Sequence, residues 1–152
     1  MTVRLATADD AAVIGRLLHD FNVEFGDPTP APAVLAARIA QIMATDDTQV
    51  LLSERDTAIG VAVLRFRPSL WSPALECYLA ELYIVPEVRG TGLGRELLNA
   101  ATAAARTHGA DYMDLGTAET DTVARHLYES AGFSRTEGRP DGPVNFYYER
   151  EL

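Results

Sequence analysis

The stretch Tyr83–Glu96, reading YIVPEVRGTGLGRE, constrains this chain more than any other. An apolar strand runs into Pro86, and Gly90, Gly92 and Gly94 then open a helix that carries Leu97 and Leu98. Glycines let main chain approach a ligand closely. The first turn of a helix leaves N–H groups without an intrahelical acceptor and carries partial positive charge. Such a turn suits an anion. The chemistry it predicts is a phosphate or pyrophosphate held by main chain, with Arg89 or Arg95 adding charge. A tight turn without a ligand is the competing reading. The pattern is not a P-loop, because no Lys-Ser/Thr pair follows the glycines. Nor is it a dinucleotide fingerprint, because glycines at 90, 92 and 94 do not follow a first βα unit.

The remaining elements follow from periodicity. Thr2–Ala6 reads as a strand. Thr7, with Asp10 three residues on, opens a helix through Ala11, Ile14, Leu17, Leu18 and Phe21. Pro28, Pro30 and Pro32 punctuate a loop, and a second helix starts near Pro32. Thr48–Glu54 and Ile59–Arg67 form a hairpin, and Leu75–Val85 is a third antiparallel strand. Leu93–His108 is a helix stopped by Gly109. It returns the chain to a strand, Tyr112–Gly116, parallel to its predecessor. Thr120–Ala131 is the last helix. Phe133 starts another strand, and Asn145–Arg150 is the terminal one.

The 152 residues fit one domain spanning 1–152, and 47% hydrophobic content supplies a core. The net charge of −9 argues against a nucleic-acid surface and leans towards a cationic small molecule or basic peptide, though solubility explains it equally. All 13 basic residues are arginine, a bias with no functional reading here. Cys77 is the sole cysteine, so no intrachain disulfide forms. His19, His108 and His126 lack metal-ligand spacing. No apolar leader follows Met1, and no run reaches membrane-spanning length, so a cytoplasmic protein without a membrane partner is expected.

Val85-Pro-Glu-Val-Arg-Gly-Thr-Gly-Leu-Gly94 resembles the acetyl-coenzyme A signature of the GCN5-related N-acetyltransferase (GNAT) superfamily. The family motif Gln/Arg-x-x-Gly-x-Gly/Ala falls on Arg89, Gly92 and Gly94. Ala124-x-x-x-Tyr128-x-x-x-Gly132-Phe133 resembles the second block of the same superfamily. The resemblance covers nearly the whole chain. It implies the GNAT α/β fold, a mixed and mostly antiparallel sheet of about six to seven strands flanked by four helices. It implies acetyl-coenzyme A as cofactor, held by Ile84, Val85, Arg89, Gly90, Thr91, Gly92, Leu93, Gly94, Arg95, Asp121, Ala124 and Tyr128. In the family the tyrosine protonates the leaving thiolate, which assigns Tyr128 a catalytic role. The family's usual Asn is replaced by Asp121, which cannot donate from its side chain.

Phe66-x-x-x-x-Trp71 and Tyr78–Val85 resemble the diamine and polyamine acetyltransferase branch, although Leu82 stands where that branch has a second acid. A primary amine of pKa about 10.4 is mostly protonated at neutral pH and must lose a proton before attack. Glu81 is the carboxylate placed for that; a structural acid paired with an arginine is its other reading. As the resemblance implies, a main-chain N–H near Ile84 or Val85 polarises the thioester oxygen. Glu24, Phe25, Asp27, Trp71 and Glu81 are the expected acceptor site, with a solvated loop as the plainer reading of Glu24–Asp27. The expected activity is direct acetyl transfer to a small primary amine. Acetylation of a protein or peptide amine and a non-catalytic acyl-coenzyme A sensor are the alternatives. A homodimer is expected from Phe146-Tyr-Tyr148 and from dimeric relatives.

Overall fold

The computed structural model describes residues 2–152. In order, the elements are β1 (Thr2–Leu5), a 3-10 turn (Ala8–Asp10), α1 (Ala11–Glu24), α2 (Pro32–Met43), β2 (Thr48–Glu54), β3 (Ala58–Pro68), β4 (Leu75–Ile84), a second 3-10 turn (Pro86–Val88), α3 (Leu93–His108), β5 (Ala110–Asp114) and α4 (Thr122–Ser130). The strands form one sheet in the order β1-β2-β3-β4-β5. The first three pairings are antiparallel, and β5, returned by α3, makes the sheet mixed. This is the α/β architecture expected, a central mixed sheet flanked by helices. The chain divides into two compact units, one up to Met113 and one from Asp114 to Leu152.

In the first unit the sheet is covered on both faces. Val50, Leu52, Val61, Val63 and Tyr83 pack with Ile14 and Leu17 of α1 and Ile39 of α2. The other face of β3 carries Ala62, Leu64 and Phe66, and α3 buries Leu93, Leu97, Leu98, Ala101 and Ala105. Phe66 lies against His108 at the end of α3, with ring centroids 4.3 Å apart. Two-sided burial explains why β3 reads as a nearly unbroken apolar run. Each fully buried leucine or isoleucine contributes roughly 1.5–3 kcal/mol. Gly15 is what lets α2 close on α1: a β-carbon there would lie 2.5 Å from the Pro32 carbonyl oxygen.

Two irregularities set the geometry of β4. Leu64 pairs with Leu79 and Val63 with Glu81, so Ala80 is an extra residue, a bulge. A bulge breaks the period of two. Without it Glu81 would share the α3 face with Cys77 and Leu79. With it Glu81 joins Val63 and Tyr83 on the α1 face. The second irregularity is β5, which has five residues beside the ten of β4. Its register starts where the Leu75 N–H donates to the Gly109 carbonyl at 3.0 Å. β5 therefore ends about halfway along β4, and Glu81–Ile84 runs on without it.

In the second unit α4 opens on Asp121, whose carboxylate accepts the Ala124 N–H at 3.0 Å. Tyr128 meets Phe133 edge-on, with centroids 6.0 Å apart. The two strands expected after α4 do not form ladders. Only the bridge Thr136–Val144 appears, flanked by Glu137 N–H to Pro143 O at 2.9 Å and Asn145 N–H to Arg135 O at 2.8 Å. The described sheet thus has five strands and not six or seven. Aromatic propensity at Phe133 and Phe146–Tyr148 does not make a strand unless a ladder partner is present. Pro143 brings no N–H to that pairing. Phe146, Tyr147 and Tyr148 are exposed.

Candidate active site

The turn after β4 has the form the glycines predicted. Gly90 has φ +76° and Gly92, the N-cap of α3, has φ +87°. Ordinary side chains avoid that region. An added β-carbon at either would meet nothing within 4 Å, so the turn borders open space. The cap makes no side-chain hydrogen bond, and the Glu96 N–H donates to Gly92 O at 3.1 Å. Helix geometry leaves the N–H groups of Leu93 and Gly94 ahead of that first bond without an intrahelical acceptor. The Thr91 hydroxyl donates to Val88 O at 2.7 Å and fixes the turn from within. The Leu93 side chain is buried under the sheet, so only its main chain faces the cradle.

Main-chain direction at the end of β4 separates Ile84 from Val85. The Val85 N–H donates to Ile59 O at 2.9 Å, and Gly60 pairs with Ile84. In an antiparallel ladder that makes Gly60–Ile84 a non-hydrogen-bonded pair. The N–H and C=O of Ile84 therefore both point away from β3, to the side β5 does not reach. Of the two expected donors, Val85 has its N–H engaged in the sheet, and the Ile84 N–H is turned away from β3.

Glu81 is half-buried, and burial alone raises its pKa above the ordinary carboxylate range. No salt bridge or hydrogen bond engages its carboxylate among the described residues, so the paired structural acid is not the arrangement found. Glu24 is differently placed. Arg89 Nη1 and Nη2 donate to Glu24 Oε1 at 2.6 Å and Oε2 at 2.8 Å, and Arg89 Nε donates to the Ile84 carbonyl at 2.8 Å. The Arg89 fork, and secondarily the Tyr83 hydroxyl, hold the Glu24 carboxyl below its usual range. Arg89 also lies 5.5 Å over the Tyr83 ring, which stacks on Phe21 at 5.0 Å. Phe25 closes edge-on against Phe21 at 5.3 Å. Burial first, then the Glu24 charge, raises the Tyr83 pKa.

The structure thus brings Glu24, Phe25, Tyr83, Ile84 and Arg89 together, and puts Glu81 on the same sheet face as Tyr83. Asp27 lies in the loop after α1, its N–H on Asn22 O at 2.9 Å. Trp71 is not brought there. It is 89% exposed at the tip of the β3–β4 hairpin, beyond the Pro68–Leu75 pair. Six residue steps along the strand lead from Leu75 to Glu81, roughly 20 Å at 3.3 Å per residue. Asp121 and Ala124 are hydrogen-bonded to each other, which gives Asp121 a capping task. Sequence reasoning missed Tyr83 and the bulge. The available signal was an acid, Glu81, in phase with Cys77, Leu79 and Tyr83, where unbroken alternation would bury a charge. Two surface depressions, about 230 and 440 Å³, surround His108 and include no residue of α1, the turn or β4 beyond Leu75. Asp46 lines both and Asp47 the second, but neither includes Glu81 or the glycine turn.

Comparison with known proteins identifies the class. The model of the Acetyltransferase (GNAT) family matches residues 14–133. The crystal structure of a candidate acetyltransferase from Arthrobacter sp. FB24 superposes with a TM-score of 0.90 at 42% identity, covering 100% of this chain and 96% of that one. The chain belongs to the GNAT family and is an acetyl-coenzyme A-dependent N-acetyltransferase. An uncharacterised N-acetyltransferase of Bacillus subtilis (strain 168), YhfO, is 29% identical over 143 residues, 91% of this chain and 93% of that protein. A mycothiol acetyltransferase of Thermobispora bispora is 48% identical over 60 residues, 38% of this chain and only 20% of that protein. Among the described residues no helix is long and apolar enough to cross a membrane.

Proposed function

We propose that this chain, acting as a single domain, transfers an acetyl group from acetyl-coenzyme A to the primary amine of a small molecule. The attack is direct, in a ternary complex, and a diamine or polyamine is the narrower reading. The observation that carries it is Glu81, an unpaired, half-buried carboxylate that the Ala80 bulge turns to the α1 face beside the uncovered end of β4. The open cradle at Gly90 and Gly92 fits a pyrophosphate approached by main chain. Gly90–Arg95 would hold it, and the Ile84 N–H points to the side where the acyl group would lie. Acetyl-coenzyme A supplies an activated acyl group as a thioester. Glu81 takes the proton of the incoming ammonium, directly or through water. As the C–N bond forms and the C–S bond breaks, the Tyr128 hydroxyl would give a proton to the departing sulfur and regain one from the nitrogen, which sheds its second proton on becoming an amide. With Glu24 engaged by Arg89 and Trp71 at the hairpin tip, Glu81 is the carboxylate that meets the amine, with Asp27 and Phe25 at the loop end.

The mycothiol acetyltransferase similarity spans too little of that protein to carry its acceptor over. The exposed Phe146, Tyr147 and Tyr148 support a homodimer, and a cytoplasmic location belongs to the same reading. The test is an acceptor screen with spermidine, putrescine, amino acids and a basic peptide, following release of free coenzyme A. Turnover with a diamine supports the narrower reading, and turnover with the peptide alone supports the protein acetyltransferase. Tight acetyl-coenzyme A binding with no turnover on any acceptor would leave a sensor.

A further inference from the structure

The cluster around Arg89 does something that the anion chemistry of the turn does not require. Its Nε holds the Ile84 carbonyl, and its fork grips both oxygens of Glu24, 65 positions earlier in the chain. Three of the five guanidinium N–H groups are thereby engaged. We propose that Arg89 is a positioning residue and not a pyrophosphate ligand: it fixes the Ile84–Val85 peptide, and Glu24 is the counter-ion that holds it there.

Three observations support this. First, a carboxylate at 2.6–2.8 Å cancels the arginine charge, so an arriving pyrophosphate gains little from it. Second, the bidentate geometry sets direction as well as energy. An ordinary exposed ion pair contributes little, but this one is braced by the Tyr83 ring at 5.5 Å and by the Tyr83–Phe21 stack. Third, the carbonyl it holds lies at the critical point. Ile84 is the residue whose N–H faces the uncovered side of β4, and rotation of its backbone would re-aim that donor. Glu24 and Arg89 thus tie the end of α1 to the strand that leads into the turn, and Glu24 is withdrawn from the acceptor site.

The inference deepens the proposed cofactor role of the turn, so the experiment reads the two separately. Calorimetry measures acetyl-coenzyme A affinity for the wild type, Glu24→Gln, Arg89→Gln and Arg89→Leu. Amide NMR of the same proteins follows Val85, whose peptide contains the Ile84 carbonyl. The latch predicts affinity within about threefold of wild type for Arg89→Gln, whereas loss of a charged phosphate ligand costs tenfold or more. It also predicts that Arg89→Leu and Glu24→Gln move the Val85 amide in the same direction. In the double variant Glu24→Gln/Arg89→Leu the shift does not exceed that of Arg89→Leu alone, because both changes break one unit. Circular dichroism checks the fold of each. A tenfold loss of affinity in Arg89→Gln with Val85 unmoved would overturn the inference. Failure of the wild type to bind acetyl-coenzyme A would refute the cofactor reading, while the Val85 shifts would still decide the latch.

Discussion

Gly92→Asp probes the turn most directly. Gly92 sits at φ +87° with nothing near its missing β-carbon. A left-handed conformation costs an ordinary L-residue roughly 1–2 kcal/mol, and Asp and Asn tolerate it better than most. No neighbouring atom has to move, so the variant is expected to fold. What changes is the ligand side, where a carboxylate now faces the proposed pyrophosphate. At about 5 Å and an effective dielectric of 20, two unit charges repel by about 3 kcal/mol. Screening at physiological salt removes on the order of half of that. Some 1.4 kcal/mol or more remains, which is at least tenfold in affinity. Gly92→Asn has the same shape and backbone cost without the charge, so the difference between the two isolates the electrostatic part. Calorimetry with acetyl-coenzyme A is the assay, repeated at low salt, where the gap should widen. Unchanged affinity in a folded Gly92→Asp protein would show that no anion binds at this turn.

Two further outcomes are expected. Tyr128→Phe keeps the ring that meets Phe133 and deletes the hydroxyl; turnover on the best amine should fall roughly 10- to 100-fold with acetyl-coenzyme A affinity preserved, and equal turnover would leave Tyr128 as packing. Light scattering at micromolar concentration should report a dimer, and replacing Phe146 and Tyr148 by serine should shift it to monomer, whereas a wild-type monomer mass would refute the pairing.

How far the sequence reaches depends on the range of each interaction. β2 and α3 fall at the expected residues, because their signals are local: alternation between Thr48 and Glu54, and an apolar stripe from Leu93 closed by Gly109. The turn is local too, since a left-handed backbone is a property of glycine itself. The Ala80 bulge is not. It depends on how β4 meets β3, and only the misfit of Glu81 with its phase hints at it. The Glu24–Arg89 pair joins residues 65 apart, and no local pattern ties them. Considered alone, each had a sensible separate reading, Glu24 for an amine and Arg89 for a phosphate. Opposite charges placed in one cleft neutralise each other first. The last strands fail for a related reason: aromatic composition describes a residue that would suit a sheet, while the ladder depends on a neighbour.

The proposed role of Glu81 links the fold to the chemistry, and pH separates its two aspects. Burial raises its pKa above the unfolded value, so the folded state binds the proton more tightly than the unfolded chain does. Stability from this group is therefore greatest at acid pH and falls as pH rises from the ordinary carboxylate range through the raised folded value. Glu81→Gln removes that penalty. The variant should match the wild type in melting temperature at acid pH and exceed it near neutrality. The rate runs the other way. As proton acceptor, Glu81 works only when ionised, so wild-type activity should rise with pH through the same raised pKa. The Gln variant should lose on the order of 100-fold near neutrality. It should then recover part of that loss towards pH 10, where the free amine is abundant. A gain in stability together with a loss of rate is what a strained catalytic carboxylate predicts, and a paired structural acid predicts loss of both. A Glu81→Gln protein less stable than wild type at neutral pH, with an unchanged pH–rate profile, would remove Glu81 as the base.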